Sequence, residues 1–202
     1  MHIGIDFDNT IVSYDNLFHK VALEQNLITH DVPRNKVAVR DHLRRAGKEQ
    51  VWVEMQGYVY GARMSEAEIF QGFIDFVSRA RAIGHHTTIV SHKTRTPFAG
   101  PQYDLHDAAR AWIYSHLTVA GEALFEETQF FFELTKDAKI ARIQTLACDV
   151  FVDDLPEILL AESMPRQVRK ILFDPEANHV TVEGEDLQSA STWGQVGKLL
   201  DV

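Results

Sequence analysis

Short apolar runs that end in polar residues recur along the chain and predict the strands of a parallel sheet. Such runs, apolar throughout rather than alternating, are typical of strands buried on both faces. The five predicted strands are residues 3–5, 87–90, 130–132, 150–152 and 169–173. Stretches with apolar residues at helical spacing lie between or after them, at residues 104–117, 138–147, 155–161 and 193–200. Strands that alternate with helices predict an α/β fold with a Rossmann-like, doubly wound parallel sheet.

The segment that follows the first strand is too long for an ordinary connection. Its apolar spacing is mostly helical, and Val51–Gly61, where the period is ambiguous, also favours a helix. We therefore predict a small helical insertion at residues 13–64. Residues 1–12 and 65–202 would then form the α/β core.

The next helix is predicted to begin at Ser65. Ser65 is followed three residues later by Glu68, a spacing that resembles a capping box. Apolar residues that include Phe73 and Phe76 continue at helical spacing, and Gly84 marks the predicted end of this helix.

Two aspartates stand directly after the first strand. Asp6 and Asp8 are two positions apart, so along an extended chain their side chains project to the same side. Carboxylates held this close repel unless they share a cation or one is protonated. Carboxylates that also face a substrate phosphate are typical Mg²⁺ ligands. Alternatively, Asp6 and Asp8 only cap a turn, and Thr10 N-caps a helix.

Polar side chains also end three later strands. Ser91 follows the second strand, Lys136 the third, and Asp153 and Asp154 the fourth. The carboxyl ends of parallel strands meet at one edge of a sheet, so these groups are expected to converge there. Carboxylates for a metal, with a lysine and a hydroxyl for phosphate oxygens, predict a Mg²⁺–phosphate site.

In order and context these residues resemble the four motifs of the haloacid dehalogenase-like (HAD) hydrolase superfamily, in its phosphatase branch with a small C1-type cap. The resemblance covers about residues 1–161. The motif residues are Asp6, Phe7, Asp8, Asn9 and Thr10, then Ser91, then Lys136, then Val152, Asp153 and Asp154.

The resemblance implies a role for each charged motif residue. Asp6 would be the nucleophile that forms an aspartyl-phosphate, and Asp8 the general acid and base, whose backbone carbonyl also binds the metal. Asp153 and Asp154 would complete the Mg²⁺ site, with Asp154 as the direct ligand.

Two further motif residues would contact the phosphoryl group. Ser91 would donate a hydrogen bond to it, and Lys136 would neutralise charge on the nucleophile and the phosphate. Lys139 competes for the lysine position. Lys136 is preferred because it lies closer to the strand end, and Lys139 would then be an exposed helix residue.

Basic and aromatic residues around these motifs have two explanations each. His92, Lys93 and Arg95 either bind a second anionic part of the substrate or are solvated loop charges. A basic stretch in the insertion is more typical of a solvated helix face than of an anion site. The aromatic residues of the insertion are expected to pack in its core rather than to stack on a ligand. The basic residues are Arg40, Arg44 and Arg45, and the aromatic residues are Trp52, Tyr58 and Tyr60.

Composition narrows the partners and the compartment. The 202-residue chain has a net charge of −9 and a pI of about 5.5, which argues against a general nucleic-acid or anionic-membrane surface. No stretch is long and apolar enough for a membrane span, no secretory signal is visible, and the single cysteine, Cys148, suits a reducing compartment. A cytoplasmic location is therefore expected.

The predicted function is Mg²⁺-dependent hydrolysis of a small phosphorylated metabolite, since a small cap suits a compact substrate. The alternatives are a phosphotransferase or phosphomutase on the same site, and a non-catalytic binding module on the same fold. The sequence sets neither the substrate nor the oligomeric state.

Overall fold

A computed structural model describes residues 1–179 and 187–202 of the chain. The ten described strands are β1 (His2–Ile5), β2 (Val12–Ser13), β3 (Glu68–Ile69), β4 (His86–His92), β5 (Thr118–Val119), β6 (Glu122–Ala123), β7 (Phe130–Glu133), β8 (Val150–Asp153), β9 (Arg169–Phe173) and β10 (Leu187–Ala190). The eight described α-helices are α1 (Asp15–Glu24), α2 (Lys36–Arg45), α3 (Glu49–Tyr60), α4 (Phe73–Ala82), α5 (Leu105–His116), α6 (Lys136–Thr145), α7 (Pro156–Leu159) and α8 (Trp193–Leu200).

Six strands form one sheet in the order β10-β9-β8-β1-β4-β7, and every neighbouring pair is parallel. The prediction of a Rossmann-like, doubly wound α/β fold is confirmed. Strand β1 lies between β4 and β8, with Ile5 in register with both Ile89 and Val152. The carboxyl ends of these three strands therefore lie side by side, which is the usual position of a site in such sheets.

Helices cover both faces of this sheet. Successive side chains of a strand point to opposite faces, so neighbouring residues contact different helices. On β9, Leu172 packs with Ile143 of α6 and Leu159 of α7. The next residue, Phe173, instead lies against Trp193 of α8, at 5.3 Å between ring centroids. Strands with apolar residues on both faces are thus buried between two helical layers.

The chain divides into two compact units. The core unit comprises Met1–Val12, Ile69–Lys93 and the described part of Leu117–Val202. The helical unit comprises Ser13–Glu68 and Thr94–His116, so it contains the predicted insertion at residues 13–64. It also contains residues 65–68 and 94–116, which were predicted from the sequence to belong to the core. That residues 13–64 act as a C1-type cap stays a prediction.

The helical unit has its own aromatic core. The ring of Phe18 lies 4.9 Å from that of Trp52, and the rings of Tyr14 and Tyr60 are 4.8 Å apart. Trp112 of α5 donates a hydrogen bond from Nε1 to the carbonyl oxygen of Ala67 (2.9 Å). This bond connects the two segments of the unit, since α5 belongs to the segment at residues 94–116.

The predicted capping box at Ser65 is wrong. Residues Met64–Glu66 form a 3₁₀ turn without a side-chain cap, and α4 begins only at Phe73. Gly72 precedes this helix with a left-handed backbone (φ 86°), a conformation that glycine adopts readily. The local Ser-x-x-Glu pattern therefore does not mark the start of this helix.

Gly4 of β1 lies directly against the side chains of Phe151 and Cys148, so a larger residue at this position should reduce stability. A Cβ at this position would lie 2.6 Å from Cδ2 of Phe151 and 2.9 Å from Sγ of Cys148. Gly4→Ala is therefore expected to reduce the free energy of unfolding by about 1–3 kcal/mol through overpacking. Urea unfolding with an unchanged m-value would measure the loss.

Gly194→Ala is the matched control for this substitution. Gly194 lies in α8, and a Cβ there meets nothing closer than 3.8 Å. Because alanine is a better helix former than glycine, this variant should be as stable as the parent or slightly more so. A Gly4→Ala variant as stable as Gly194→Ala would contradict the close-packing argument.

Candidate active site

Three charged residues meet at the carboxyl ends of β1 and β8. Asp6 follows β1, and its backbone N–H extends the pairing by donating to the carbonyl oxygen of Val152 (2.9 Å). Asp153 is the last residue of β8. Lys139 of α6 places Nζ 2.6 Å from Oδ1 of Asp6 and 2.6 Å from Oδ2 of Asp153. One ammonium group thus joins two carboxylates that stand on adjacent strands.

These three side chains are almost completely withdrawn from water. The exposed fractions are 4% for Asp6, 1% for Lys139 and 0% for Asp153. The second oxygen of Asp153, Oδ1, accepts a hydrogen bond from the backbone N–H of Leu155 (3.0 Å). Buried charges are tolerated when they are paired and hydrogen-bonded in this way.

The sequence prediction that Lys139 is an exposed helix residue is wrong, because its side chain is buried. Lys136 is the first residue of α6, and its half-exposed side chain places Nζ 2.6 Å from Glu157. Helix α6 begins earlier than predicted, because Thr135 caps it by accepting a hydrogen bond from the N–H of Ala138 (3.0 Å). Lys139 shares the buried face of the helix with Ile143, but this i, i+4 spacing does not identify it in the sequence, because Lys136 stands at the same spacing from Ile140.

The charges of the cluster shift the pKa values of its members. Burial raises the pKa of Asp6 above its ordinary value; the positive charge of Lys139 opposes this, and the negative charges of Asp153 and Asp8 add to it. Burial lowers the pKa of Lys139, but the charges and hydrogen bonds of Asp153 and Asp6 outweigh it, so the net shift is upward. Lys139 therefore stays an ammonium group, while the negative charge of Asp6 stays unfavourable where it lies.

The remaining negative charge fits a hard divalent cation. Asp6, Asp153 and Asp154 each offer a carboxylate oxygen, and these oxygens lie within 4.8 Å of one another. Such an all-oxygen donor set suits Mg²⁺, which is commonly held by carboxylates and substrate phosphate oxygens. Asp154 is half-buried, so the cluster includes an oxygen donor closer to solvent than Asp153.

Asp8 lies on a tight turn and contacts a second lysine. Asn9 has a left-handed backbone (φ 58°), and the N–H groups of Ile11 and Val12 both donate to the carbonyl oxygen of Phe7. Lys93 places Nζ 2.7 Å from Oδ2 of Asp8 and 3.0 Å from Oδ1. From the sequence, Lys93 was expected either to bind an anionic part of the substrate or to be a solvated loop charge, and no local pattern indicated this pair.

The same turn is connected to the last helix. Trp193 of α8, which is fully buried, donates from Nε1 to the carbonyl oxygen of Thr10 (3.1 Å). Thr10 is itself fully buried, and its hydroxyl has no hydrogen-bond partner among the described residues. The contact from α8 to the turn is a second feature that sequence reasoning missed.

The other predicted site residues lie in different surroundings. Ser91 is 1% exposed within β4, next to the strand that carries Asp6. His92 is half-buried; burial lowers its pKa, and the positive charge of Lys139 lowers it further. Arg95 belongs to the helical unit, where its guanidinium pairs with Asp104 (2.9 Å).

Comparison with solved structures shows what this arrangement resembles. A HAD hydrolase, YfnB, from Bacillus subtilis, whose structure has bound magnesium, matches with a TM-score of 0.60 and 14% identity over 100% of this chain and 98% of that chain. A β-phosphoglucomutase from a Pyrococcus species matches with a TM-score of 0.57 and 15% identity, over 99% and 97%. A HAD-superfamily hydrolase from Ehrlichia chaffeensis matches with a TM-score of 0.56 and 13% identity, over 99% and 95%.

These likenesses extend over nearly the whole of each chain, and they show that this protein has the HAD-like fold. No protein-family model matches the sequence, and no curated protein matches it either.

Within residues 1–179 and 187–202, none of the helices combines the length and the apolar character that crossing a membrane requires.

Proposed function

We propose that the protein is a Mg²⁺-dependent phosphatase that hydrolyses a small phosphate monoester through an aspartyl-phosphate. One observation carries the proposal: Lys139 joins Asp6 and Asp153 at the edge of the sheet where Asp154 adds a third carboxylate. A nucleophilic carboxylate, a cation beside it and an oxygen donor set for Mg²⁺ are the parts that phosphoryl transfer needs.

The first step makes the acyl phosphate. A carboxylate oxygen of Asp6 attacks phosphorus while the bond from phosphorus to the leaving oxygen breaks, and Asp8 donates a proton to that oxygen. Lys139 lowers the negative charge on Asp6, so a phosphate anion can approach it. Ser91 would donate a hydrogen bond to a phosphoryl oxygen.

The second step reverses the proton transfer. Asp8 accepts a proton from a water molecule, and the water oxygen attacks phosphorus as the bond to Asp6 breaks, which releases inorganic phosphate. When bound at Asp6, Asp153 and Asp154, Mg²⁺ would act as a Lewis acid toward the phosphoryl oxygens. His92 is proposed to bind a second polar or anionic part of the substrate, and the role of Arg95 stays a prediction.

A phosphotransferase is the second candidate, because one similar structure is a β-phosphoglucomutase. In that case a hydroxyl of a second substrate, in place of water, would attack the aspartyl-phosphate. The residues that act would be the same, so the products separate the two candidates.

Metal removal tests the proposal. Phosphate release would be measured across sugar phosphates, nucleotides and an aryl phosphate, in Mg²⁺ and in EDTA, with Asp6→Asn as the control for contaminating phosphatases. We expect release in Mg²⁺ only, with activity restored when Mg²⁺ is returned in excess. Release that persists in EDTA or in Asp6→Asn would contradict the proposal. A panel without release, but with phosphate passed to an added sugar, would support the transferase.

A further inference from the structure

The buried lysine that directly follows strand β4 has a place in the site that the sequence alone did not predict. We propose that Lys93 is a positioning residue that holds the Asp8 carboxylate out of the cation cluster and keeps it available for proton transfer. The inference rests on the proposed function, in which Asp8 carries the proton and Asp6, Asp153 and Asp154 hold the cation.

The contact between Lys93 and Asp8 is close and enclosed. Nζ lies within 3.0 Å of both carboxylate oxygens, and only 4% of the Lys93 side chain is exposed. The ammonium group also lies 5.7 Å from the centre of the buried Phe7 ring. A lysine enclosed in this way would have to leave Asp8 before it could bind an anion from solvent.

The backbone holds both partners in place. The N–H of Lys93 donates to the carbonyl oxygen of Glu133 on β7 (2.9 Å), which continues the pairing of β4 with that strand. Asp8 lies on the turn closed by the two hydrogen bonds to Phe7, with its far end bonded to Trp193. Neither residue can move far without breaking these bonds, so the contact fixes the direction of the carboxylate.

The position of Asp8 explains why such a contact is needed. Asp8 is close enough to Asp6 for its negative charge to raise the pKa of that residue. A divalent cation at Asp6, Asp153 and Asp154 would attract a nearby carboxylate with some freedom to turn. Asp8 would then be a further metal ligand, and the double charge of the metal would hold its oxygens more strongly than the single charge of an ammonium group does. The two lysines divide the carboxylates: Lys139 contacts Asp6 and Asp153, and Lys93 contacts Asp8.

Lys93→Met separates this role from substrate binding, because methionine keeps most of the apolar stem and removes the charge. Metal-free protein would be titrated with Mg²⁺ by calorimetry, and turnover of an alkyl phosphate measured alongside. We expect Mg²⁺ to bind roughly 3- to 10-fold more tightly, because a carboxylate joins the donor set. We expect kcat to fall at least about tenfold with a smaller change in KM, because proton transfer is impaired.

Three comparisons remove simpler explanations. Lys136→Met also removes one positive charge from the edge of the site, but its partner is Glu157, so it should leave Mg²⁺ affinity and kcat near the parent values. Lys93→Arg keeps the charge and should restore the parent Mg²⁺ affinity. In a background of Asp8→Asn, Lys93→Met should tighten Mg²⁺ binding much less, because the carboxylate it frees is absent.

The outcomes distinguish the inference from the function on which it rests. Unchanged or weaker Mg²⁺ binding in Lys93→Met would overturn the inference, and so would equal tightening with and without Asp8. A raised KM with unchanged kcat and Mg²⁺ affinity would assign Lys93 to the substrate instead.

If the parent binds Mg²⁺ but releases no phosphate, the proposed function fails while the titration still decides the role of Lys93. A parent that binds no Mg²⁺ overturns both. If Lys93→Met does not fold, Lys93→Gln takes its place with the same expected directions.

Discussion

Replacing Asp6 with asparagine is expected to abolish phosphate release while the fold remains intact. The amide cannot attack phosphorus as a carboxylate does, so kcat/KM should fall by more than about 10³-fold. The loss should be similar for an alkyl phosphate and for an aryl phosphate, because both must transfer the phosphoryl group to the same atom. Phosphate release from purified protein, with beryllium fluoride binding as a second readout, would measure it.

The stability of this variant is expected to move in the opposite direction. Burial raises the pKa of Asp6, so the folded state disfavours the ionised form that predominates in the unfolded chain at neutral pH. A neutral amide of the same shape removes this cost and the repulsion from Asp153 and Asp8. In the absence of metal, the unfolding temperature of Asp6→Asn should therefore be no lower than that of the parent. Gains of this kind are common where function keeps an unfavourable charge.

Asp137→Asn is the matched control for the loss of activity. It makes the same chemical change at an exposed position of α6, next to Lys136, and activity should stay close to that of the parent. If Asp6→Asn kept the activity of Asp137→Asn, Asp6 would not be the nucleophile.

Replacing Lys139 with methionine is expected to reduce both activity and stability. Without the ammonium group, Asp6 and Asp153 face each other with no buried cation between them. Removing one partner of a buried ion pair costs about 3–5 kcal/mol of unfolding free energy. Activity should fall at least about 10²-fold, since the charge beside the nucleophile is lost. Urea unfolding and phosphate release measure the two effects.

The control is the same substitution at the other lysine of α6. Lys136 is half-exposed and pairs with Glu157, so Lys136→Met should change stability by no more than about 0.5 kcal/mol and leave activity near the parent value. Mg²⁺ should restore part of the stability of Lys139→Met, because a cation at the carboxylates replaces the missing charge. The opposite ranking of the two variants would favour the original choice of Lys136.

The parallel sheet was predictable because its strands are compact apolar runs. Phe151 and Val152 of β8 are buried on opposite faces of the sheet, so neither face of this strand needs polar residues. The resulting apolar run is easy to distinguish from the amphipathic helices around it. The position of Asp6 and Asp153 followed from topology, since parallel strands end at the same edge. Strand β10, with the sequence Leu-Gln-Ser-Ala, was missed because an edge strand needs little apolar sequence.

The parts of the site that could not be predicted depend on distant contacts. The choice between Lys136 and Lys139 required the start of α6, and helix ends are poorly marked in sequence. The pairs Lys93–Asp8 and Trp193–Thr10 join residues far apart in the chain, and no local pattern shows them. The grouping of residues 94–116 with the helical unit likewise depends on contacts such as that of Trp112 with Ala67.

The central position of β1 makes the order of synthesis differ from the order of assembly. Strand β1 is synthesised before both of its neighbours, since Ile3 pairs with Thr87 and with Val150. The hydrogen bond to Thr10 comes later still, from Trp193. A growing chain therefore carries Asp6, the proposed nucleophile, long before it has the residues that pair with it, and pairing over such distances is slow. In a growing chain, this apolar strand would need protection from aggregation until its neighbours are made.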